Sequence, residues 1–500
     1  MDERDSLISA NGTGYGTHGP INKADSDETL LFNPQDDPDD PQNWKTSYKW
    51  GVVSLLAFMA FTVTFTCISL VPVAINIVAD LDGSSGHQST STASVLLVTI
   101  WELGEAAGPL LIAPLSEVYG RYPVYNLTNG LFIACIALGA LSQSTTLLIM
   151  ARFFTGCAVA SNVLNPAIIG DMFPKEKRGS PMSIIMLAPL LGGAMGPAMA
   201  GVIAQTSGWR EVLWMSLGLA TVAEVLFVVL LRETYQPAIL RRRALALGHE
   251  ARKAGKGCND PEAALSEDDS SSTKSPVWEA IKRPSVFAGS LVLQIMSLYG
   301  AVGFSFFYVM STTLPGILQN VYHFPPTLVG STFLSFSVGS ALGVVVCNTL
   351  LDRIYKRLQQ PDQPHQPENR LPIVMFGAFT LPLSVVLYGW IAQLGLPVPV
   401  LIFSVALMGF TLILSLVPVT SYVVDAFGLY SASALTAVLI TRCMMSTFLP
   451  MAAAPLEHSL GYGWGMMVLA GLCMALAPVP VLVFKFGGRW RARSAYTQDE

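Results

Sequence analysis

The sequence predicts an all-α integral membrane protein, with twelve transmembrane helices in two pseudo-symmetric six-helix bundles. Three observations lead there. Of its 500 residues, 52% are hydrophobic and 13% charged, with a mean hydropathy of +0.50; a soluble chain carries roughly 25% charged residues. About twelve stretches approach the roughly 20 apolar residues needed to cross a bilayer. These stretches fall as six, a polar break, and six more, and the two sets carry a matching polar loop.

The first half contains candidate spans at 50–74, 93–114, 123–142, 147–170, 181–204 and 211–231, and the second at 286–310, 327–350, 371–392, 397–423, 432–455 and 463–486. Only Ser142–Thr146 separates the third from the fourth. Residues 1–49 are polar and acidic, without the apolar core of a signal peptide, so the first span is expected to direct its own insertion. Met1–Leu30 is rich in Gly, Ser, Asp and Thr and is expected to be disordered. Residues 232–284 run from Arg241-Arg242-Arg243 to an acidic, Ser-rich stretch at 267–272 and read as a flexible linker, with a short interfacial helix at Val277–Pro284. The expected organisation is therefore an N-tail over 1–49, a bundle over 50–231, a linker over 232–284, a bundle over 285–486 and a C-tail over 487–500.

Orientation follows from Lys and Arg. One set of loops holds Arg121, Lys175, Lys177, Arg178, Arg232, Arg241–Arg243, Arg353, Lys356, Arg357, Lys485, Arg489, Arg491 and Arg493; the alternate loops hold little beyond Arg210. The basic set is expected to be cytosolic, with both termini inside. The sequons at Asn11 and Asn126 then lie on the cytosolic side and should not be glycosylated. Most of the seven cysteines lie in apolar stretches without metal-ligand spacing, and Cys258 is in the linker. The net charge of −5 is small and gives no sign of a nucleic-acid partner. No Walker loop, metal cluster or catalytic triad appears, so the expected energy source is an ion gradient rather than ATP, and no cofactor is called for. Trp50, Trp209, Trp390, Trp464 and Trp490 lie near span ends, as interface anchors do.

Leu115-Ser116-Glu117-Val118-Tyr119-Gly120-Arg121 follows the second span, and Leu351-Asp352-Arg353-Ile354-Tyr355-Lys356-Arg357 follows the eighth. Each sets an acid and then a base at the same point of its half, as in a duplicated transporter. Ala113–Arg121 is similar to the loop signature of the major facilitator superfamily, with Glu117 at the acid, Gly120 at the turn and Arg121 at the base. Within that superfamily the chain resembles the twelve-span fungal drug:proton antiporter family. Arg152-Phe-Phe-Thr-Gly156 resembles its fourth-span motif, and Gly192-Gly-Ala-Met-Gly196-Pro197-Ala-Met-Ala200-Gly201 its fifth-span antiporter motif. Small residues at four-residue spacing let helices approach closely, and proline bends them. Further similar stretches are Asn33–Trp44, Gly170–Gly179 (with Asp171 and Arg178), Gly208–Arg210, Pro367–Pro372 and Tyr422–Phe427. Leu291-Val292 stand where many polyamine-transporting relatives carry Glu-Pro.

The resemblance implies a charge latch at Glu117, Arg121, Asp171, Arg178, Asp352 and Arg353, although Arg121 also serves as a plain topology determinant. It associates Arg152 with proton transfer; a position near the interface would instead let it snorkel. Ionisable groups inside spans are functional candidates: Glu102, Glu105, Arg152, Glu224 and Arg442. Glu102 and Glu105 share nearly one helical face, and buried carboxyls suit reversible proton binding near neutral pH. The superfamily's first, fourth, seventh and tenth spans line its cavity, giving Asn76, Asn162, Asn165, Gln294 and Tyr308 as lining candidates. The expected activity is proton-driven efflux of a drug, toxin or secondary metabolite by alternating access, as in multidrug resistance; the alternative is proton-coupled import of a polyamine, vitamin or organic acid. A non-transporting sensor is a further possibility, against which the short tail after Lys485 weighs. The partners expected are a small-molecule substrate and the lipid bilayer, for a monomer in the plasma membrane or, alternatively, the vacuolar membrane.

Overall fold

The computed structural model describes residues 37, 39–82, 87–174, 177–253, 290–358, 366–427 and 431–491. Met1–Leu30, Asn11, Asn33–Pro34, Cys258, residues 267–272 and Val277–Pro284, for which the sequence raises expectations, lie outside the described residues. The regular structure among the described residues is helical.

The first span runs over Thr46–Asp82, the second over Thr92–Tyr119, the third over Arg121–Ala140, the fourth over Thr145–Met172, the fifth over Gly179–Thr206 and the sixth over Trp209–Leu230. The seventh is Leu291–Asn320, the eighth Pro326–Leu358, the ninth Leu371–Leu394 and the tenth Val398–Phe427. Ser431–Leu476 contains the eleventh and twelfth, separated at Gly461 (φ 81°, ψ 170°). The twelfth continues as Pro478–Arg491. Among the described residues, eleven helices are long and apolar enough to cross a membrane when that last pair is taken as one; divided at Gly461 they make twelve. The face bearing Trp44, Arg121, Gly179, Leu230 and Arg491 is called here the tail face, and the opposite one the far face.

Several spans exceed the apolar runs that announce them. The first is interrupted because Pro72 has no backbone N–H to offer: an α-helix over Thr46–Ser69 gives way to a 3-10 turn at Val71–Val73 and resumes over Ala74–Asp82. The last span reaches Arg491, past the residue 486 expected. In the stretch read as a flexible linker, Gln236–Lys253 is a helix; Ala, Leu and Arg dominate it, and these are strong helix formers.

Each half is held by close backbone approach at crossed glycines. A Cβ on Gly104 of the second span would sit 2.2 Å from the Phe153 carbonyl oxygen of the fourth, and one on Gly156 of the fourth 2.2 Å from that of Trp101 in the second. In the second half, Gly339 of the eighth span faces the Ala406 carbonyl of the tenth, and Gly409 of the tenth lies 2.4 Å by the same measure from that of Phe336 in the eighth. No other residue tolerates such approach, so the two-fold repeat is written in packing as well as in loops.

The halves meet along two seams: the fifth span against the eighth, and the second against the eleventh. On the far side of the midplane these seams are closed. Gly330 of the eighth span would place a Cβ 2.0 Å from the Pro197 carbonyl oxygen of the fifth, and the Thr447 hydroxyl of the eleventh donates to the Thr99 carbonyl of the second at 3.2 Å.

Outside the spans, Arg243 of the linker helix forks onto the N-terminal segment, donating to Asp37 at 2.8 and 3.1 Å and to Asp39 at 2.9 Å. Hydrogen bonding from Arg243 holds the Asp37 carboxyl below its ordinary value, against an opposing effect of burial. Gln236 donates to Asp40 at 3.1 Å, and Lys49 donates to the Gln42 carbonyl at 2.7 Å.

Candidate transport site

A cavity of about 410 Å³ lies between the halves and is bordered by Glu102, Glu105, Asn162, Asn165, Tyr308 and Arg442. Six residues singled out from the sequence thus meet in one place. Glu102 is 2% exposed and Glu105 is 7% exposed, both on the second span. The Tyr308 phenol of the seventh span donates to Oε1 of Glu102 at 2.6 Å. Asn162 of the fourth donates to Oε1 of Glu105 at 2.6 Å, and the Trp101 indole donates to its Oε2 at 3.2 Å. Arg442 of the eleventh lies 3.5 Å from Oε1 of Glu105 and covers the Phe304 ring at 4.5 Å. Both acids therefore take one partner from the opposite half.

Asn165 stabilises the wall: it accepts from the Tyr125 phenol at 2.7 Å and donates to the Leu56 carbonyl at 3.2 Å. Arg152 is buried behind Trp101, over whose ring it lies at 4.7 Å, so it does not snorkel. Its guanidinium donates to the carbonyls of Thr66 at 3.0 Å and Cys67 at 2.5 Å. Those carbonyls end the first helical segment, where the interruption near Pro72 leaves acceptors that a cation satisfies well.

Other cavity candidates lie elsewhere. Asn76 is exposed in a separate far-face recess of about 550 Å³ with Asp80, Trp209 and Arg210. It falls there because the first span continues helically beyond the Val71–Val73 turn. Gln294 sits in the first turn of the seventh span, towards the tail face, and is not among the residues bordering the cavity. Glu224 receives a 2.6 Å bond from Asn129 of the third span, away from the cavity.

In the fifth span, Cβ atoms on Gly192 and Gly196 would stand 2.5 and 2.9 Å from the carbonyl oxygens of Phe61 and Phe65, so these glycines admit the first span. Gly201 is buried, and the carbonyl of Pro197 faces Gly330 across the seam.

At the tail face, Arg121 pairs with Asp171 at 3.5 Å and lies over the Tyr235 ring at 4.6 Å. Its backbone N–H donates to Glu233 at 2.8 Å, and that of Tyr122 donates to the same carboxylate at 3.3 Å, so an acid from beyond the sixth span caps the third. Gly120 makes room: its φ is 97°, and a Cβ would stand 2.3 Å from Glu233 Oε2. Glu117, the expected acid of this latch, is exposed, while Asp171 and Glu233 engage Arg121. Arg178 donates to the carbonyls of Phe173 and Gly170, which close the fourth span.

The second half carries its matching ion pair elsewhere than expected. Arg353 is exposed on the eighth span, and the side chain of Asp352 is outside the described residues. Arg370, before the ninth span, pairs with Asp425 of the tenth and lies over the Tyr355 ring at 5.2 Å. Glu368 receives a two-pronged bond from Arg491 at 2.9 and 3.0 Å. Sequence reasoning missed Glu233, Trp101, Cys67 and Cys443. The last two face the acid site: Cys67 lies 3.6 Å from the Tyr308 hydroxyl, and Cys443 faces Glu102. Only the position of Glu233, directly after the sixth span, gave a signal.

The family model described as Major Facilitator Superfamily matches residues 53–450. An Aspergillus oryzae protein named MFS transporter cpaT is 31% identical over 96% of this chain and 95% of its own. A Floropilus chiversii protein named efflux pump radE is 32% identical over 92% of this chain and 84% of its own. Among solved structures, a partially occluded inward open conformation of the xylose transporter XylE from E. coli aligns with a TM-score of 0.63 at 14% identity, covering 88% of this chain and 98% of that one. A D-xylose-proton symporter aligns with a TM-score of 0.64 at 13% identity, over 87% and 99%. The two structures share the fold.

Proposed function

This chain belongs to the major facilitator superfamily, and from that premise we propose that it is a proton antiporter that exports a small organic compound by alternating access. The observation that carries this reading is the double bridge at the cavity: Glu102 to Tyr308 and Glu105 to Arg442, each acid reaching the other half. A carboxylate receives a stronger hydrogen bond than a carboxylic acid, and it attracts a guanidinium that the neutral form does not. Ionised acids therefore favour the state seen here, with the far side closed. A proton arriving at either acid weakens its bridge to the other half, which ties proton binding to the movement of the halves. With the far face outside the cell, protons enter from outside and leave inside, and the cargo moves the other way.

The efflux pump name among the fungal relatives and the close fit of the antiporter glycines to the first span support the same direction. On this reading both termini are cytosolic, the protein acts as a monomer in the plasma membrane, and the proton gradient drives it without ATP or a cofactor. Deleting the gene and comparing intracellular with secreted metabolites tests the proposal. The expected result is a compound retained inside the mutant and released by the parent. Equal distributions would count against export, and a compound depleted from the medium only by the parent would indicate import.

A further inference from the structure

Three covered polar atoms of residues bordering the cavity lack a hydrogen-bond partner among the described residues: Oε2 of Glu102, Nε of Arg442 and Oγ of Ser340. Covered polar atoms are nearly always hydrogen-bonded, since leaving one unmet costs about 1–3 kcal/mol. The first is an acceptor and the second an N–H donor, and the Ser340 hydroxyl can be either. Much of the cavity wall from the second half is aromatic, with Phe304 and Phe307 on the seventh span and Phe333 and Phe336 on the eighth. At about 410 Å³ the space suits one small molecule.

Resting on the transport reading above, we propose that the cargo is an uncharged, flat aromatic or conjugated compound carrying a hydroxyl and a carbonyl. The hydroxyl donates to Oε2 of Glu102, the carbonyl accepts from Nε of Arg442, and the ring system stacks on the phenylalanines. Both protein atoms lie under the wall, so engagement turns the two side chains towards the lumen. Charge disfavours the other classes. An organic cation drawn to Glu102 also meets the Arg442 guanidinium, and an organic anion drawn to Arg442 also meets the Glu102 carboxylate, whereas a neutral donor–acceptor compound satisfies both without a like-charge contact. Oε1 of Glu102 is already occupied by Tyr308, and Glu105 is held by Trp101, Asn162 and Arg442, so neither offers the same free geometry.

The test is equilibrium binding to the full chain in lipid nanodiscs without any proton gradient, so it stands or falls separately from the direction of transport. Four probes share one ring system: 7-hydroxycoumarin, 7-methoxycoumarin, a trimethylammonium coumarin and a coumarin carboxylate, at a pH where the phenol is unionised. The hydroxyl compound should bind roughly ten- to a hundredfold more tightly than the methoxy compound. Glu102→Met should erase that preference, and Glu102→Gln, which keeps an acceptor oxygen, should retain it. Arg442→Met should weaken both compounds alike. Equal binding of the hydroxyl and methoxy compounds overturns the proposal. So does tightest binding by either charged probe, or no binding by any of the four. Retained binding of the methoxy compound by Glu102→Met shows that its lost preference is not a folding defect.

Discussion

Arg370 stands in the second half where Arg121 stands in the first. Each lies at the start of the third span of its half, each pairs with an aspartate near the end of the fourth (Asp425 and Asp171), and each lies over a tyrosine ring. Replacing Asp425 by Ala leaves a partly covered guanidinium without its carboxylate and should cost about 2 kcal/mol. The exchanged pair Arg370→Asp with Asp425→Arg should recover part of that loss. Thermal unfolding of the single and double variants measures the coupling, and purely additive effects would show that the pair contributes nothing.

Glu102→Gln and Glu105→Gln remove the ionisable group while keeping volume. Proton-driven transport should fall roughly hundredfold in at least one of them, while exchange of cargo without a gradient persists. Transport followed against an imposed pH gradient in proteoliposomes reads this. An unchanged pH dependence in both variants would remove the acids as the coupling site.

A side chain at Gly330 cannot coexist with the Pro197 carbonyl at its present distance. Gly330→Val should therefore part the fifth and eighth spans on the far face. Spin labels at Gln205 and Leu328, both exposed near that face, should move apart in electron–electron distance measurements. An unchanged distance distribution with intact folding would show that the seam absorbs the methyl groups elsewhere.

The contact of Asp37 and Asp39 with Arg243 predicts a definite pH dependence. The Asp37 carboxyl is held below its ordinary value in the folded chain, so the clasp is at full strength above the ordinary carboxylate range. It weakens only as pH falls through the depressed value. Hydrogen exchange at residues 39–44 should stay slow from neutral pH down to about 4 and quicken below. Arg243→Ala should quicken it at neutral pH as well. Fast exchange in the unmodified protein at neutral pH would refute the clasp.

Glu102 and Glu105 were legible because charge within an apolar helix stands out, and the glycines of the fifth span because their spacing is regular. Their partners were not. Glu102 and Tyr308 are 206 residues apart, and nothing local announces the pairing. Asn76 was misplaced because a composition window cannot see that a helix interrupted at Pro72 resumes and carries the residue to the far face. Glu233 escaped notice because it works chiefly on backbone N–H groups, which leave no mark on the sequence. Asp352 and Arg353 resembled the first-half loop in order of charge, yet the pair occupying the equivalent place is Arg370 with Asp425, because folding matches positions in space.

The crossed glycines, Gly104 with Gly156 and Gly339 with Gly409, also decide where the molecule is stiff. Main chain resting on main chain has no side chain to swing aside, so neither half can easily shear along its own second-to-fourth or eighth-to-tenth contact. Among the described residues, the boundary between the halves carries one such contact, at the far face, where Gly330 meets the Pro197 carbonyl, so the movement left to the two blocks is a rocking about that point.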